Sequence, residues 1–347
     1  AYGSGNRIES FRAAVVSTRT DNQEAKGSSP EPPSLTWSDD LAAEFEPKTS
    51  RLIKLEQWND FRYEQGDRKA KADRALLEPA RDVVTLTGSA RMWDPSGSTS
   101  AGKIILNQKT GDLEAVGTVS STRLPERKQK PATSSLLSAE EPIQAKAERM
   151  LASDDRSRIE YQGNALLWQG ANRLQAHQIE IDRKQGKLHA RQNVFSQFLD
   201  NSPKGKRNVF TTVRAAELTY SEKEQIAHYR GGAVLNRPGL QVDAQEIQAF
   251  FAGGDKDSSD SSLEKAIADG SVKIVQTAPD RTRTGTSEHA EYFAASGKIV
   301  LEEGQPQLVD SFRGTAKGKQ LTYFSNDDRL LIDGSEGQPA SSTIRRR

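Results

Sequence analysis

The chain has no cysteine, which excludes disulfide staples, thiolate zinc sites and a cysteine nucleophile. It also lacks an excess of either charge. Its 49 basic and 48 acidic side chains leave a net charge of +1, without the electrostatic footprint of a nucleic-acid binder. The terminal Arg345, Arg346 and Arg347 are a local exception, expected to be a solvated end. No apolar run approaches the length that spans a bilayer. With 34% hydrophobic residues, a chain of 347 has too little apolar material for one large globular core. The opening Ala1-Tyr2-Gly3 has neither Met nor an apolar signal segment, so the chain is expected to be processed or cut from a longer array.

Familiar catalytic and metal patterns are missing too. His177, His189, His228 and His289 stand singly, without metal-ligand spacing. The Gly253-Gly254 pair lacks the lysine and strand-to-helix setting of a phosphate loop. The acidic pairs Glu302-Glu303 and Asp327-Asp328 fall in expected turns and read as solvated, although a glycosidase-like carboxylate pair stays open. Trp37, Trp58, Trp93 and Trp168 read as packing residues rather than a stacking platform. No metal, cofactor or catalytic residue is expected.

What is present is a repeat. A small residue is followed three positions later by an apolar one and two beyond that by another, as in Ala101, Ile104, Leu106 and in Ala176, Ile179, Ile181. The small anchors are Ala72, Ala101, Ala147, Ala176, Ala215, Ala244, Ser287 and Gly318. Successive anchors lie 29, 46, 29, 39, 29, 43 and 31 residues apart, so short and long steps alternate and the true unit is a pair. The excess falls in polar stretches, Ser121 to Glu141, Leu199 to Arg207 and Gly253 to Ser262, which read as loops between double units. Those units begin near residues 68, 143, 211 and 284 and fill 68–335. Residues 1–67 read as partial or degenerate repeats with a polar loop at Asn22 to Pro33, and 336–347 as a disordered tail.

Within a unit, turn-forming stretches such as Asn107 to Asp112, Asp182 to Gly186 and Ser325 to Asp328 separate the apolar segments. The segment after each turn alternates and then meets a glycine: Gly88, Gly117, Gly163 or Gly334. Period-two alternation buries one face of a strand, and the glycine marks a bulge or bend. Gln192 stands at that point in one copy, where a less tight corner is expected. Ile143 to Ser153 alone could pass for a helix, but its register with the other copies makes it a strand. Hairpins with a single apolar face must stack. The expected fold is therefore all-β: stacked hairpin repeats, open-ended, with a thin groove-like interior.

The strings YQGNALLWQG (161–170), NRLQAHQIEIDRKQG (172–186) and GTSEHAEY (285–292) resemble the OstA-like domains of bacterial lipopolysaccharide transport. Such domains occur in the periplasmic bridge protein, its inner-membrane-anchored partner and the amino-terminal domain of the outer-membrane translocon. The likeness spans roughly residues 68 to 335 and rests on a degenerate pattern, while the long charged inter-unit loops depart from it. It implies an elongated twisted β-jelly roll whose interior takes lipopolysaccharide acyl chains. It also implies a periplasmic location, with any membrane anchor in segments outside this chain, and edge-to-edge β pairing with like domains. The side chains assigned to the groove are Ile104, Leu106, Ile179, Ile181, Leu218, Tyr220, Ile247, Leu321 and Tyr323. A closed sandwich core would use the same residues. A polysaccharide-acting β-solenoid enzyme and a structural or adhesive rod are the competing functions.

Overall fold

A computed structural model describes residues 8–21, 32–125, 141–153, 157–200, 209–251, 263–337 and 339–344. Twenty-two strands run through these residues. The chain divides into two units, the first holding residues 1–128, 141–167 and 180–184, the second the remainder.

In the first unit, β1 (Ser10–Thr20), β2 (Ser34–Phe45), β3 (Leu52–Gln65), β4 (Arg68–Glu78), β5 (Val83–Asp94), β6 (Gly97–Asn107), β7 (Leu113–Arg123) and β8 (Ile143–Ser153) each pair antiparallel with the next. Both β9 (Arg158–Gln169) and β10 (Asn172–Asp182) are divided between the units. The second unit continues with β11 (Lys187–Asp200), β12 (Val209–Ser221), β13 (Ile226–Arg237), β14 (Leu240–Phe251), β15 (Leu263–Ala278) and β16 (Arg281–Phe293), again consecutive and antiparallel. Six short strands follow: β17 (Lys298–Glu302), β18 (Gln307–Asp310), β19 (Gly314–Lys317), β20 (Gln320–Phe324), β21 (Arg329–Asp333) and β22 (Ser341–Ile344).

The recurring spacing has a geometric cause. In β8 the buried residues are Ala145, Ala147, Met150 and Ala152, so the inward face changes parity between the anchor and its third successor. The opposing strands supply the reason. Residue pairs 59–60, 88–89, 117–118, 163–164, 192–193, 231–232, 270–271 and 303–304 all have left-handed φ, between 46° and 83°. Where β3 passes β4, Asn59 and Asp60 together face the single Asp73, and the ladder shifts there. Two residues against one is a bulge that bends the strand and increases its twist. The small anchors lie beside this bend; Ala72, Ala147 and Ala215 are all buried there.

Glycine suits these corners because left-handed φ carries no Cβ penalty. At Gly88 a Cβ would also collide with the Asp73 side chain. The corner at Gln192 corrects the expectation of a looser turn. Gln192 and Asn193 adopt φ 62° and 57°, and the register shifts between Arg191 and Val194 as elsewhere. Neighbouring ladders dictate the corner, so a non-glycine residue accepts the strain. Gly334 is the reverse case: it follows β21 and lacks a left-handed φ, because no continuous strand turns a corner there.

The bends fold each sheet back on itself. Tyr229 is in register with Leu218, and Leu218 with Ala190. On a flat sheet Ser196 would lie roughly 20 Å from Tyr229, at 3.3 Å per residue and 4.8 Å per strand. Their hydroxyls are 2.9 Å apart, both buried. Ser121 and Tyr161 meet likewise at 2.7 Å in the first unit. At the carboxy-terminal end the two layers separate into distinct strands. β16 pairs with β17 through residues 289–293 and with β18 through 283–286, after which β17–β20–β21 and β18–β19–β22 form the two layers. Each unit is thus an all-β, antiparallel jelly roll.

Two expectations about boundaries change. Residues 341–344, read as part of a disordered tail, form β22 against β19, because the free layer edge of β19 offers its backbone groups. Strand β7 runs to Arg123 and β11 to Asp200, beyond the expected loop starts. The inter-unit loops themselves, most of Asn22 to Pro33, the Gly253-Gly254 pair and the arginine tail lie outside the described residues.

Candidate functional site

Ladder registers arrange the inward side chains in cross-strand rows. In the first unit one row runs Leu41, Gln57, Ala75, Leu86, Ile104, Ala115, Met150, all buried. Two residues farther from the corner, on the same face, runs Ala43, Leu55, Leu77, Val84, Leu106, Leu113, Ala152. Its middle members Leu55, Leu77, Val84 and Leu106 are only half-buried. The second unit repeats the arrangement. Ala190, Leu218, Tyr229, Ile247, Ala268, Ala290, Leu301 and Leu321 form its buried inner row. The outer row begins with the buried Leu188, Tyr220 and Ala227 and continues through half-buried Ala249, Ala266, Tyr292 and Ile299 to buried Tyr323.

The nine assigned groove residues therefore divide. Ile104, Ile179, Leu218, Tyr220, Ile247, Leu321 and Tyr323 are buried. Leu106 and Ile181 are half-buried. The inner-row members fill the space between layers and already touch protein. Sequence reasoning did not separate the rows and left out Leu55, Val84, Ala266 and Ile299. The available signal was position: the apolar residue five after the anchor sits farther from the corner than the one at three.

The two layers are also held by polar contacts. Tyr229 shares its hydroxyl with Ser196. Burial pushes the Tyr229 phenol well above its usual range, against the opposing pull of that hydrogen bond. Burial likewise raises Tyr161 beside Ser121.

In the second unit, Arg281 and Arg283 share the face of buried Gly285 and Ser287 on β16. Arg281 Nε donates to the Asp310 carboxylate at 2.8 and 3.0 Å, and its Nη1 reaches Asp328 at 2.8 Å. Arg283 bonds both carboxylates and lies 4.9 Å from the Tyr323 ring centroid. The backbone N–H groups of Phe312 and Arg313 also donate to Asp310, at 2.8 and 3.1 Å. Burial alone would raise the Asp310 carboxyl, but the Arg281 fork, these amides and Arg283 outweigh it and hold it well below the carboxylate range. Asp328 is lowered in the same way, against its own burial, first by Arg281. Asp328 is thus not the solvated turn residue that the sequence suggested. Arginines in phase with buried positions were the legible warning.

Among the described residues no group of three His, Asp or Glu side chains is placed to hold a metal ion. His228 contacts Glu246 at 2.7 Å and His289 contacts Asp269 at 2.6 Å, both in cross-strand pairs. Among the described residues no helix is long and apolar enough to cross a membrane.

No curated protein matches. The crystal structure of LptH, the LptA-homologous periplasmic component of the lipopolysaccharide transport device of Pseudomonas aeruginosa, aligns at 19% identity with a TM-score of 0.31. That alignment covers 39% of this chain and 90% of LptH. A family profile described as LptA/(LptD N-terminal domain) LPS transport protein matches residues 15–112, 127–187 and 212–329, which is most of the chain. The chain belongs to this family of lipopolysaccharide transport proteins.

Proposed function

We propose that the chain works in the periplasm and carries lipopolysaccharide by laying its acyl chains along the half-buried middle members of the outer rows, while the buried inner rows and the buried ends of the outer rows serve as core. The observation that carries this reading is the burial gradient on one continuous face: Ile104 is fully buried, while Leu106, two residues on, is only half-buried. An apolar strip that is partly open to water gains from a lipid what a closed core has already gained from itself. The scale is adequate, since an acyl chain of about a dozen carbons loses about 10 kcal/mol of hydration penalty when fully covered, at about 0.8 per methylene. Like domains would dock edge to edge by adding strands to the ladder.

A photocrosslinking side chain introduced at Leu106 or Tyr292 in cells making lipopolysaccharide tests the acyl-chain reading. Adducts are expected from both positions and not from Lys103, which is exposed on the opposite face of β6. Adducts from Lys103 but not from Leu106 would overturn it.

A further inference from the structure

The outer face of the first unit carries a feature that lipid transport through the interior does not use. Ser17, Trp37, Arg62, Lys71 and Arg91 form one cross-strand row over β1 to β5. Arg62, Lys71 and Arg91 thus stand directly opposite one another on three adjacent strands. Like charges so placed repel and destabilise a sheet. Arg62 is neutralised by Asp60. Arg91 has instead the Trp93 ring, 5.4 Å from its guanidinium to the centroid. Lys71 has no hydrogen-bond or ion-pair partner among the described residues. The row therefore ends in two cations, Lys71 and Arg91, that have no ion-pair partner among the described residues.

Lys71 lines a cleft of about 780 Å³ together with Trp37 and Trp93, and Arg91 stands opposite it on the next strand. Trp37 is 36% exposed, an unusual degree for an indole with no solvent-side role. In β5 Trp93 is out of phase with buried Ala90, so it faces the same outer side as Arg91. Asp39, Asp60 and Glu64 are the acidic residues of the lining and Arg62, Lys69 and Lys71 the basic ones; Asp60 is paired with Arg62 and Glu64 with Lys69, the latter at 3.0 Å, which leaves Lys71 as the unpaired cation. Both tryptophans were expected to be packing residues; here they flank an open polar site.

We infer that this cleft binds an anionic saccharide. Indole faces cover the apolar face of a sugar ring, the carboxylates of Asp39 and Asp60 accept from its hydroxyls, and a phosphate or carboxylate on the sugar supplies the charge that Lys71 and Arg91 lack. An uncharged glycan would leave Lys71 and Arg91 without an ion-pair partner, and a simple anion would leave both indoles unused. The site is on the face away from the apolar rows, so it does not depend on acyl-chain binding.

The experiment titrates the whole chain with a phosphorylated, fully deacylated oligosaccharide, following tryptophan fluorescence and heat of binding. Parallel titrations use the dephosphorylated oligosaccharide and inorganic phosphate. Saturable binding of the phosphorylated sugar is expected, weakened at least tenfold in Lys71→Gln and in Trp93→Ala, retained in Lys71→Arg, and unchanged in Leu106→Ala. Circular dichroism of each variant checks that it is folded; Lys71 is exposed, so its variant tests the site even if Trp93→Ala unfolds. Absence of binding, equal binding of inorganic phosphate, or binding indifferent to Lys71→Gln would overturn the inference. Loss of crosslinking at Leu106 with this binding intact would instead count against the acyl-chain reading alone.

Discussion

Replacing Asp310 with asparagine keeps the shape of the side chain and removes one of the two negative charges that hold Arg281 and Arg283. The Asp310 side chain is only 9% exposed, and those of Arg281 and Arg283 are 20% and 14%. Breaking a buried ion pair from one side costs about 3–5 kcal/mol. Asp328 still neutralises both arginines, and they retain some water, so about 2–3 kcal/mol is expected here. For a unit of this size that corresponds to a fall in Tm of about 4–12 °C. The sign with pH follows from the depressed folded pKa. Asp310 contributes its full stabilisation above its ordinary value of 3.8 and loses it as pH falls toward the folded value. Below the ordinary value the gap between the native protein and Asp310→Asn should shrink by about 1.4 kcal/mol per pH unit. Urea unfolding followed by circular dichroism at pH 7, 4, 3 and 2 measures this. A gap below about 0.5 kcal/mol at pH 7, within the range of ordinary surface substitutions, would show that the cluster is solvated. A gap that is unchanged at pH 2 would show that the stabilisation is not electrostatic.

Other outcomes follow from the same geometry. Tyr229→Phe and Ser196→Ala should each cost about 1–2 kcal/mol, and the double variant less than their sum, because both remove one shared buried hydrogen bond; chemical denaturation of the four proteins closes the cycle. Since burial raises the Tyr229 phenol, its stabilising effect is present below the ordinary tyrosine pKa and lost as pH rises above it. Spectrophotometric titration should therefore show a tyrosine that ionises only with unfolding. Gln192→Gly should stabilise by about 1 kcal/mol by relieving left-handed strain, read as a higher urea midpoint. Ile104→Ala should destabilise by about 2–4 kcal/mol as a core deletion. Leu106→Ala, at a half-buried position, should cost less than Ile104→Ala and weaken lipid adducts from neighbouring positions.

Much of the architecture is written locally. A strand has period two, a turn needs Asn, Asp or Gly, and a bend beside a crowded corner admits only a small residue, so the spacing of Ala147, Met150 and Ala152 identified strand, corner and inward face together. Even the wrongly expected corner at Gln192 was located correctly, though not its conformation. The tertiary structure decided what depends on residues distant in sequence. Ile104 and Leu106 lie on the same face of β6, yet one is buried and the other half-buried, a difference that the local alternation does not carry. The bond between Ser196 and Tyr229 spans 33 residues, and Arg281 meets Asp328 across 47. Local propensity carries no information about such pairs. They exist because left-handed corners, repeated on alternate strands, bring two halves of the same sheet face to face.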